Sequence, residues 1–592
     1  MLAIGTVIAL LVLPSALTTP QANPSTELEL APVPPNTKTP PLQTGNLSTL
    51  ALGNLSTGLG AGAGGGGAPT TTTLPSLLPP LGAVTGVGSS PIEKDCVGNP
   101  PRQTEDPLSP PCVGYFQGNN DGATYQGVTG STIRIVLYYN TGTYQVGNSV
   151  YVAPVNTIIN LDQTPYQPGE FPYLTVDRAW ERYFNSRYQT YNRHIAFYLQ
   201  FESYDANSNR TTATREADAA AVYDEVRPFA VLNENQLNQD ADQSYLDYMA
   251  QHGVLSFGSG PEVQSDELYQ RYPGLEWSYQ ATLEQLDRNF DAYVCQKVVG
   301  QPTDDGGAGV GDGQPRKFGL IETTDPAFPS YQHAAQQVAS AIEGCGVKIA
   351  DTATYAYNGE TIDERTTPEY AIDAMSRFAA DKITTILWPI GMETKFSAEA
   401  ETLHYDPEWV LGGDPEQTWI DTGQFQNQSE WSHAWTITSD VYYPRLASNE
   451  VCYEAYRTVD IQASNDDVQL LACPQYNDLR QLFTGIQVAG PILGRYSVDE
   501  GFHAIPDKPS TSIEEPACYY LANDYTCVKD ATVEWWDATE SSSQSDEPGC
   551  WRMIDRGQRF DNQQFPPGNL AAQQVPADDQ CNNDTGTESI AG

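Results

Sequence analysis

Polar residues that could bind a small molecule stand directly after short apolar runs of the chain. An apolar run at 318–321 leads into a polar loop at 323–331, and two other runs lead into polar loops at 233–236 and 258–260. Hydroxyl, amide and carboxylate side chains in these loops donate and accept hydrogen bonds. Because ligands of open α/β sheets bind outside the carboxyl ends of the strands, we expect these loops to form a binding site.

Signals of catalysis are weaker. The six histidines include no pair with the spacing of two metal ligands on one helix, and no Gly-x-Ser-x-Gly elbow is present. Asp and Glu are so numerous that some pair will always resemble a catalytic pair. The sequence therefore predicts no enzyme, no metal and no cofactor, and a hydrolase using paired carboxylates or a metal stays open as an alternative.

The elements that would position the loop at 323–331 form one strand–helix–strand unit. Apolar residues recur at three- and four-residue spacing from Ala334 to Ile342, which predicts a helix over 331–343. Gly344 ends that helix, and a second strand begins at 347–349. This order is typical of a crossover between parallel strands.

The same alternation runs through most of the chain. It predicts further strands at 133–139, 195–201, 228–232, 254–257, 383–389, 409–411 and 434–438, with helices between them. The fold class predicted is α/β, with one domain at 127–280 and a second at 281–450. Residues 451–570 are predicted to form a disulfide-clasped C-terminal region with helices near 453–456 and 479–488, and 571–592 a tail. The glycine-rich stretch at 306–313 is interpreted as a flexible surface insertion, because its aspartates would repel phosphate.

Composition excludes one class of partner. With 30 Lys+Arg against 75 Asp+Glu, the formal net charge of the 592-residue chain is −45, so nucleic acid and anionic membranes would be repelled. Residues 1–20 are predicted to be a secretory signal, and no other stretch is long and apolar enough to span a membrane. Residues 21–95 are rich in Pro, Thr, Ser and Gly and predict a linker.

Ten cysteines in a chain predicted to be exported indicate disulfides. The pairs that we predict are Cys96–Cys112, which would close a clasp segment at 96–126, together with Cys295–Cys345, Cys452–Cys473 and Cys518–Cys527.

The order of these parts resembles the type 1 periplasmic binding proteins, the branched-chain-amino-acid-binding family of solute receptors that serve ABC transporters. The resemblance covers roughly residues 127–487. The segments that carry it are Gly130-Ser-Thr-Ile-Arg-Ile, Gly253-Val-Leu-Ser-Phe-Gly-Ser-Gly, Asp325-Pro-Ala-Phe-Pro and Gly344-Cys-Gly-Val-Lys-Ile. At the Asp325-Pro-Ala-Phe-Pro segment the family often has an acidic residue followed by an aromatic–glycine pair, whereas this chain has Pro329 in place of the glycine.

The resemblance implies a two-lobed clamp, each lobe a parallel sheet flanked by helices, that closes on a small ligand such as an amino acid or amide. It also implies an extracellular location, cell-wall associated if the linker is a tether, and an ABC transporter permease as partner. In such a clamp, Asp325 would pair with an ammonium group and Phe328 or Tyr331 would cover an apolar part. The ligand-binding residues that we predict are Asn233, Asn235, Ser259, Gly260, Thr324, Asp325, Phe328, Tyr331 and Gly391. Tyrosines near these loops, Tyr138, Tyr139 and Tyr204, would suit stacking on a larger apolar group. A cell-surface sensor or adhesion protein that keeps the clamp is a further alternative.

Overall fold

The structure is a computed structural model. It describes residues 102–570 except 105, 115, 147–148, 204–210, 235–238, 259–264, 325–328, 357–367, 392, 419, 440–450, 461–470, 507–515, 542–547, 555–556, 561–564 and 566–568. The predicted signal, the linker, Cys96 and the tail therefore lie outside the described residues.

The first lobe is built on a six-stranded sheet with the order β4-β5-β1-β6-β7-β8. Its strands are β1 Thr132–Tyr139, β4 Thr157–Asn160, β5 His194–Phe201, β6 Ala230–Glu234, β7 Leu255–Phe257 and β8 Glu276–Trp277. All neighbours pair in parallel except β4 with β5. A separate antiparallel hairpin joins β2 Thr143–Val146 and β3 Ser149–Val152.

The helices of this lobe are α1 Pro172–Arg187, α2 Thr212–Val226, α3 Gln239–Gln251 and α4 Asp266–Arg271. Local sequence explains where α2 begins, because the Thr211 hydroxyl accepts a hydrogen bond from the Thr214 amide and the Thr214 hydroxyl accepts one from the Thr211 amide. The helix ends at Arg227, which adopts a left-handed conformation.

The second lobe is built on a seven-stranded sheet with the order β10-β9-β11-β12-β13-β14-β15. Its strands are β9 Phe318–Thr323, β10 Ile349–Tyr355, β11 Thr385–Trp388, β12 Glu408–Leu411, β13 Ala434–Thr438, β14 Thr532–Ser541 and β15 Pro548–Met553. The first five are parallel, and β14 and β15 add antiparallel strands at one edge.

The helices of the second lobe are α5 Leu283–Tyr293, which continues into a π-helical turn Val294–Val298, then α6 Pro329–Gly344, α7 Glu369–Ala380, α8 Lys395–Leu403, α9 Pro415–Thr418, α10 Ile420–Gln424 and α11 Gln428–Trp431. Helix α7 shows the expected amphipathic pattern: Ala371, Ala374, Met375 and Phe378 are buried, while the residues between them face outward.

The chain then returns to the first lobe through α12 Val451–Arg457, α13 Tyr476–Ala489 and α14 Arg495–His503. Trp180 of α1 is fully buried against this returning segment: its ring centroid lies 5.1 Å from that of Tyr456 and 5.4 Å from that of Tyr476. Its indole N–H donates to the Ala472 carbonyl at 3.1 Å. The core of the first lobe is therefore assembled from two distant parts of the sequence.

Two connecting segments run side by side where the chain passes between the lobes. The Ser278 amide donates to the Tyr525 carbonyl at 3.1 Å, the Cys527 amide to the Ser278 carbonyl at 3.0 Å, and the Val528 amide to the Tyr279 carbonyl at 3.1 Å. The first segment leads from β8 to α5 and the second leads to β14. Paired backbone segments of this kind can serve as a hinge.

The five parallel strands of each lobe repeat one order. They are β5-β1-β6-β7-β8 in the first lobe and β10-β9-β11-β12-β13 in the second, so the second strand of each set lies outside the first and the rest follow in sequence. This is the order of a doubly wound α/β sheet. The predicted fold class, two α/β lobes with parallel sheets flanked by helices, is confirmed.

The structure corrects some of the local predictions and confirms others. Thr323 belongs to β9 and not to the loop that follows it, and β10 begins at Ile349. The glycine-rich insertion is held to the lobe, since the Gly307 amide donates to the Asp406 carbonyl at 3.0 Å and the Asp406 amide to the Ala308 carbonyl at 2.8 Å. The disulfides Cys295–Cys345, Cys452–Cys473 and Cys518–Cys527 are present as predicted.

Candidate functional site

At the carboxyl edge of the second sheet, Gly391 is fixed between two neighbouring loops. Its amide donates to Asp414 Oδ2 at 2.7 Å, and Gln417 Nε2 donates to its carbonyl at 3.0 Å. Gln417 also binds the end of β11, donating to the Trp388 carbonyl at 2.9 Å, and accepts from the Gly413 amide at 2.9 Å. The loops after β11 and β12 are therefore held in one arrangement by two buried side chains.

The local sequence explains why Asp414 points into these loops. It precedes Pro415, the first residue of α9, and its Oδ1 accepts a hydrogen bond from the Gln417 amide at 3.1 Å. This is the geometry of an N-cap residue followed by proline at the first helical position. The sequence reasoning missed Asp414 and Gln417, although Gly-Gly-Asp-Pro is a readable turn and cap signal.

Three further residues of the second lobe lie near Gly391. The Thr324 amide donates to the Tyr355 carbonyl at 2.6 Å, which joins the ends of β9 and β10. Gly391 has φ of +83°, and a Cβ there would lie 2.8 Å from the Tyr355 hydroxyl and 4.0 Å from the Tyr331 ring. Tyr331 is 2% exposed and packs with Ile390 and the start of α5. The structure thus brings Thr324, Tyr331 and Gly391 together, and of these Thr324 is solvent-exposed.

At the corresponding edge of the first sheet, Asn233 lies near the end of β6, opposite Tyr138 of β1. A buried polar network stands beside them. Arg215 Nη1 donates to Glu202 Oε2 at 2.6 Å and to the Tyr138 hydroxyl at 2.7 Å, and that hydroxyl donates to Asp218 Oδ2 at 2.6 Å. Because the Arg215 and Glu202 side chains are 1% and 0% exposed, each charge depends on the other for compensation.

This network corrects the interpretation of two tyrosines. Tyr138 stacks on Tyr245 with ring centroids 4.1 Å apart, and it is fully buried. Tyr139 is 2% exposed and its hydroxyl donates to Asp177 Oδ2 at 2.9 Å. Both are strand residues of the core, so the prediction that they stack on a ligand is wrong. The predicted strand at 133–139 already contained both tyrosines, but both faces of the sheet are covered here, so neither side chain reaches the solvent.

The end of β7 approaches α13. Gly258 has φ of +82°, and a Cβ there would lie 2.3 Å from Asp478 Oδ2. Burial raises the pKa of Asp478 to about 7. This carboxyl therefore stands beside the predicted loop at 258–260. It comes from a segment more than two hundred residues away, and no local pattern in the sequence indicates it.

The predicted site residues are thus partly placed. In the first lobe Asn233 lies near the carboxyl end of β6. In the second lobe Thr324 and Gly391 follow the carboxyl ends of β9 and β11, and Tyr331 lies in the first turn of α6. The remaining predicted site residues, Asn235, Ser259, Gly260, Asp325 and Phe328, lie outside the described residues, as does Tyr204.

A cavity of about 230 Å³ lies elsewhere in the described part of the chain, among residues 102–111, α13 and the paired connecting segments. The Arg480 guanidinium lines it, donates to Asp106 Oδ2 at 2.8 Å and lies 4.9 Å from the centre of the Tyr279 ring. None of the predicted site residues lines this cavity.

No family model matches the chain, and no curated protein matches it. Solved structures do match. An ABC transporter substrate-binding protein from Aeropyrum pernix has 11% identity and a TM-score of 0.46, covering 73% of this chain and 96% of its own. A branched-chain amino acid ABC transporter periplasmic ligand-binding protein from Burkholderia xenovorans LB400 has 10% identity and a TM-score of 0.46, covering 74% and 97%. A fatty acid ABC transporter substrate-binding protein from Thermomonospora curvata has 12% identity and a TM-score of 0.45, covering 75% and 97%.

The similar structures named above are substrate-binding or ligand-binding proteins of ABC transporters. The fold class itself follows from the strand order of the two sheets. Among the residues that the structure describes, no helix has both the length and the apolar character needed to cross a membrane.

Proposed function

We propose that this protein is an extracellular solute-binding protein that captures a small ligand between its two lobes. The observation that carries the proposal is the repeated doubly wound sheet, with one copy in each lobe and paired connecting segments between them. Doubly wound sheets bind ligands at the carboxyl ends of their strands. A chain with two such edges and a hinge is suited to a clamp.

The ligand in this proposal is an amino acid, an amide or a related small molecule. The first lobe would supply Asn233, Asn235, Ser259 and Gly260, and the second would supply Thr324, Asp325, Phe328, Tyr331 and Gly391. Neutral amides and hydroxyls would hold the polar part by hydrogen bonds, and Asp325 would pair with an ammonium group. Asp414 and Gln417 are positioning residues in this proposal, because they hold Gly391 in its left-handed conformation.

Closure of the clamp must be driven by the ligand's preference for the closed form. A ligand that bound the open and closed forms equally would shift nothing. We propose that the captured solute is passed to an ABC transporter permease, as the resemblance to the solute receptors of such transporters implies.

Thermal unfolding of the full chain, with its disulfides intact, tests the proposal against amino acids, amides, short peptides and aromatic acids. A ligand at one hundred times its dissociation constant stabilises the folded state by about 2.7 kcal/mol, which a melting curve detects. Small-angle X-ray scattering with the same compound should show a smaller radius of gyration, because the lobes close.

Two variants assign the response to the predicted site. Ser259→Ala and Asp325→Asn should each weaken the shift, whereas Asp373→Asn, on the exposed side of α7, should leave it unchanged. The absence of any shift across the whole panel would contradict solute capture and favour a surface sensor. A shift that both site variants retain would place the ligand elsewhere, for example in the cavity beside Arg480.

A further inference from the structure

Three carboxylates of the second lobe converge although they are distant from the candidate ligand residues in sequence. Glu401 lies on α8, Asp406 in the loop that leads to β12, and Glu430 on α11. One oxygen of each lies within 4.8 Å of the others. We call these three residues the Glu430 cluster.

The decisive member is Glu430. Its side chain is 0% exposed, and neither of its carboxylate oxygens has a hydrogen-bond partner among the described residues. No Lys or Arg in the described part of the chain forms an ion pair with any of the three acids. The Trp409 indole and the Asp406 carboxyl are polar neighbours of Glu430, and the His433 imidazole lies beside Asp406. A buried carboxylate that lacks a hydrogen bond of good geometry and an ion pair with Lys or Arg is unfavourable by several kcal/mol, so the folded protein must neutralise it in some way.

The surrounding backbone holds the cluster in place. The Ala308 amide donates to Asp406 Oδ2 at 2.8 Å, and the glycine-rich insertion makes two further backbone hydrogen bonds to Asp406. A Cβ at Gly307 would lie 2.7 Å from Asp406 Oδ2, so glycine is needed for this close approach. The Asn427 side chain caps α11 by accepting from the Glu430 amide at 3.2 Å, which fixes the direction of that residue.

We propose that the Glu430 cluster binds one calcium ion. Calcium takes six to eight oxygen ligands and accepts carboxylates in irregular geometry. Oxygens bound to one calcium at roughly 2.3–2.6 Å lie no more than about 5 Å apart, which matches the spread of the three acids. The ion would tie α8, α11 and the glycine-rich insertion together, and it would supply the charge that Glu430 lacks.

A second acidic cluster differs from the first because one of its own members serves as a hydrogen-bond donor. Asp162, Glu181 and His194 also converge, but His194 Nε2 is hydrogen-bonded to Asp162 Oδ1 at 2.9 Å. That cluster carries its own donor on the partly exposed surface of the first lobe. It therefore provides a matched control for the Glu430 cluster.

The competing explanation is a proton. Burial, and then the neighbouring Asp406 carboxyl, raises the pKa of Glu430 to about 10. A proton on Glu430, shared with Asp406, would neutralise the residue without any ion. If calcium neutralises Glu430, a chelator should lower the free energy of unfolding and calcium should restore it. If a proton neutralises Glu430, neither the chelator nor calcium should change the free energy of unfolding.

The experiment uses the full chain dialysed against a chelator and then titrated with calcium chloride or magnesium chloride. Calcium should raise the unfolding midpoint by several degrees in a saturable manner, with one ion per chain by isothermal titration calorimetry, and magnesium should act more weakly. Terbium offers a spectroscopic probe of the same site, because Trp409 and Trp431 stand beside Glu430 with ring centroids 5.7 Å apart and can sensitise its emission.

Variants locate the response. Glu430→Gln and Glu401→Gln should each abolish the calcium shift and the terbium signal, and Asp162→Asn should keep both. Glu401 is only partly buried, so its variant remains informative if Glu430→Gln fails to fold. An unresponsive wild type with a Glu430→Gln variant of equal stability would overturn the proposal in favour of the shared proton. An equal calcium shift in wild type and both Gln variants would overturn it in favour of non-specific binding to the acidic surface.

Discussion

Arg316 neutralises the buried Glu408 at the start of β12, and replacing it with Met tests how much this ion pair contributes to the stability of the second lobe. Its Nε donates to Glu408 Oε2 at 2.7 Å and its Nη2 to Glu408 Oε1 at 2.8 Å, a two-pronged contact. Nη2 also binds Asp304 Oδ1 at 3.1 Å. The Arg316 and Glu408 side chains are 1% and 0% exposed, so Arg316→Met leaves a buried carboxylate without its cation.

The expected loss is about 3–5 kcal/mol, the usual cost of removing one partner from a buried ion pair. For a domain of this size, 1 kcal/mol corresponds to about 2–4 °C, so the unfolding midpoint of the second lobe should fall by about 6–20 °C. Differential scanning calorimetry is the suitable assay, because it separates the transitions of the two lobes if they unfold independently.

Two comparisons sharpen the result. Arg377 is the matched control: it also contacts two carboxylates, those of Asp351 and Asp373, but its side chain is 39% exposed, and Arg377→Met should cost no more than about 1 kcal/mol. The double variant Arg316→Met/Glu408→Leu should recover part of the loss, because it leaves no buried charge of the pair. A loss below 1 kcal/mol in Arg316→Met, or a double variant whose loss is the sum of the single ones, would refute the reasoning.

Two further predictions concern the first lobe. Gly258→Ala should destabilise it by about 1–3 kcal/mol more than Gly169→Ala, because both residues have positive φ but only the Cβ at Gly258 meets an atom, Asp478 Oδ2 at 2.3 Å; urea unfolding of both variants measures the difference. Burial, opposed by the hydrogen bond from the Tyr139 hydroxyl, raises the pKa of Asp177 to about 8, so the folded state keeps a proton that the unfolded chain releases near 3.8. The stability that this group contributes is present below pH 4 and is lost as the pH rises to about 8; Asp177→Asn should flatten the curve over that window, and an unchanged slope would contradict the assignment.

The parts of the fold that the sequence predicted are those that depend on local pattern. Strand β9 is a continuous apolar run that ends in polar residues, and α7 repeats its apolar residues at helical spacing, so each could be predicted without knowledge of its partners. The edge strand β14 could not. Adjacent Trp535 and Trp536 interrupt the alternation of a half-buried strand, and β14 becomes recognisable only when it pairs with β13, nearly a hundred residues earlier.

The candidate sites also divide into features that local sequence pattern predicts and features that depend on residues distant in sequence. The ends of β6, β7 and β9, which precede the predicted loops, were predictable because each of these strands is an apolar run. The approach of Asp478 to Gly258 and the meeting of Glu401, Asp406 and Glu430 depend on long-range packing, for which no spacing rule exists. The prediction that the chain holds no metal rested on motifs of closely spaced ligands. Such motifs do not describe a site assembled from two helices and a loop.

The interleaving of the two lobes also bears on how the protein is made. Strand β13 has β12 on one side, and its other side stays unpaired until β14, at Thr532–Ser541, has been synthesised. In the first lobe, Trp180 likewise stays uncovered until Tyr476–Ala489 has been synthesised. Neither lobe can therefore complete its fold before the C-terminal third of the chain has been synthesised. A chain that ends near residue 470 would lack part of the core or sheet of both lobes. Such late completion favours folding of both lobes after the whole chain has been synthesised.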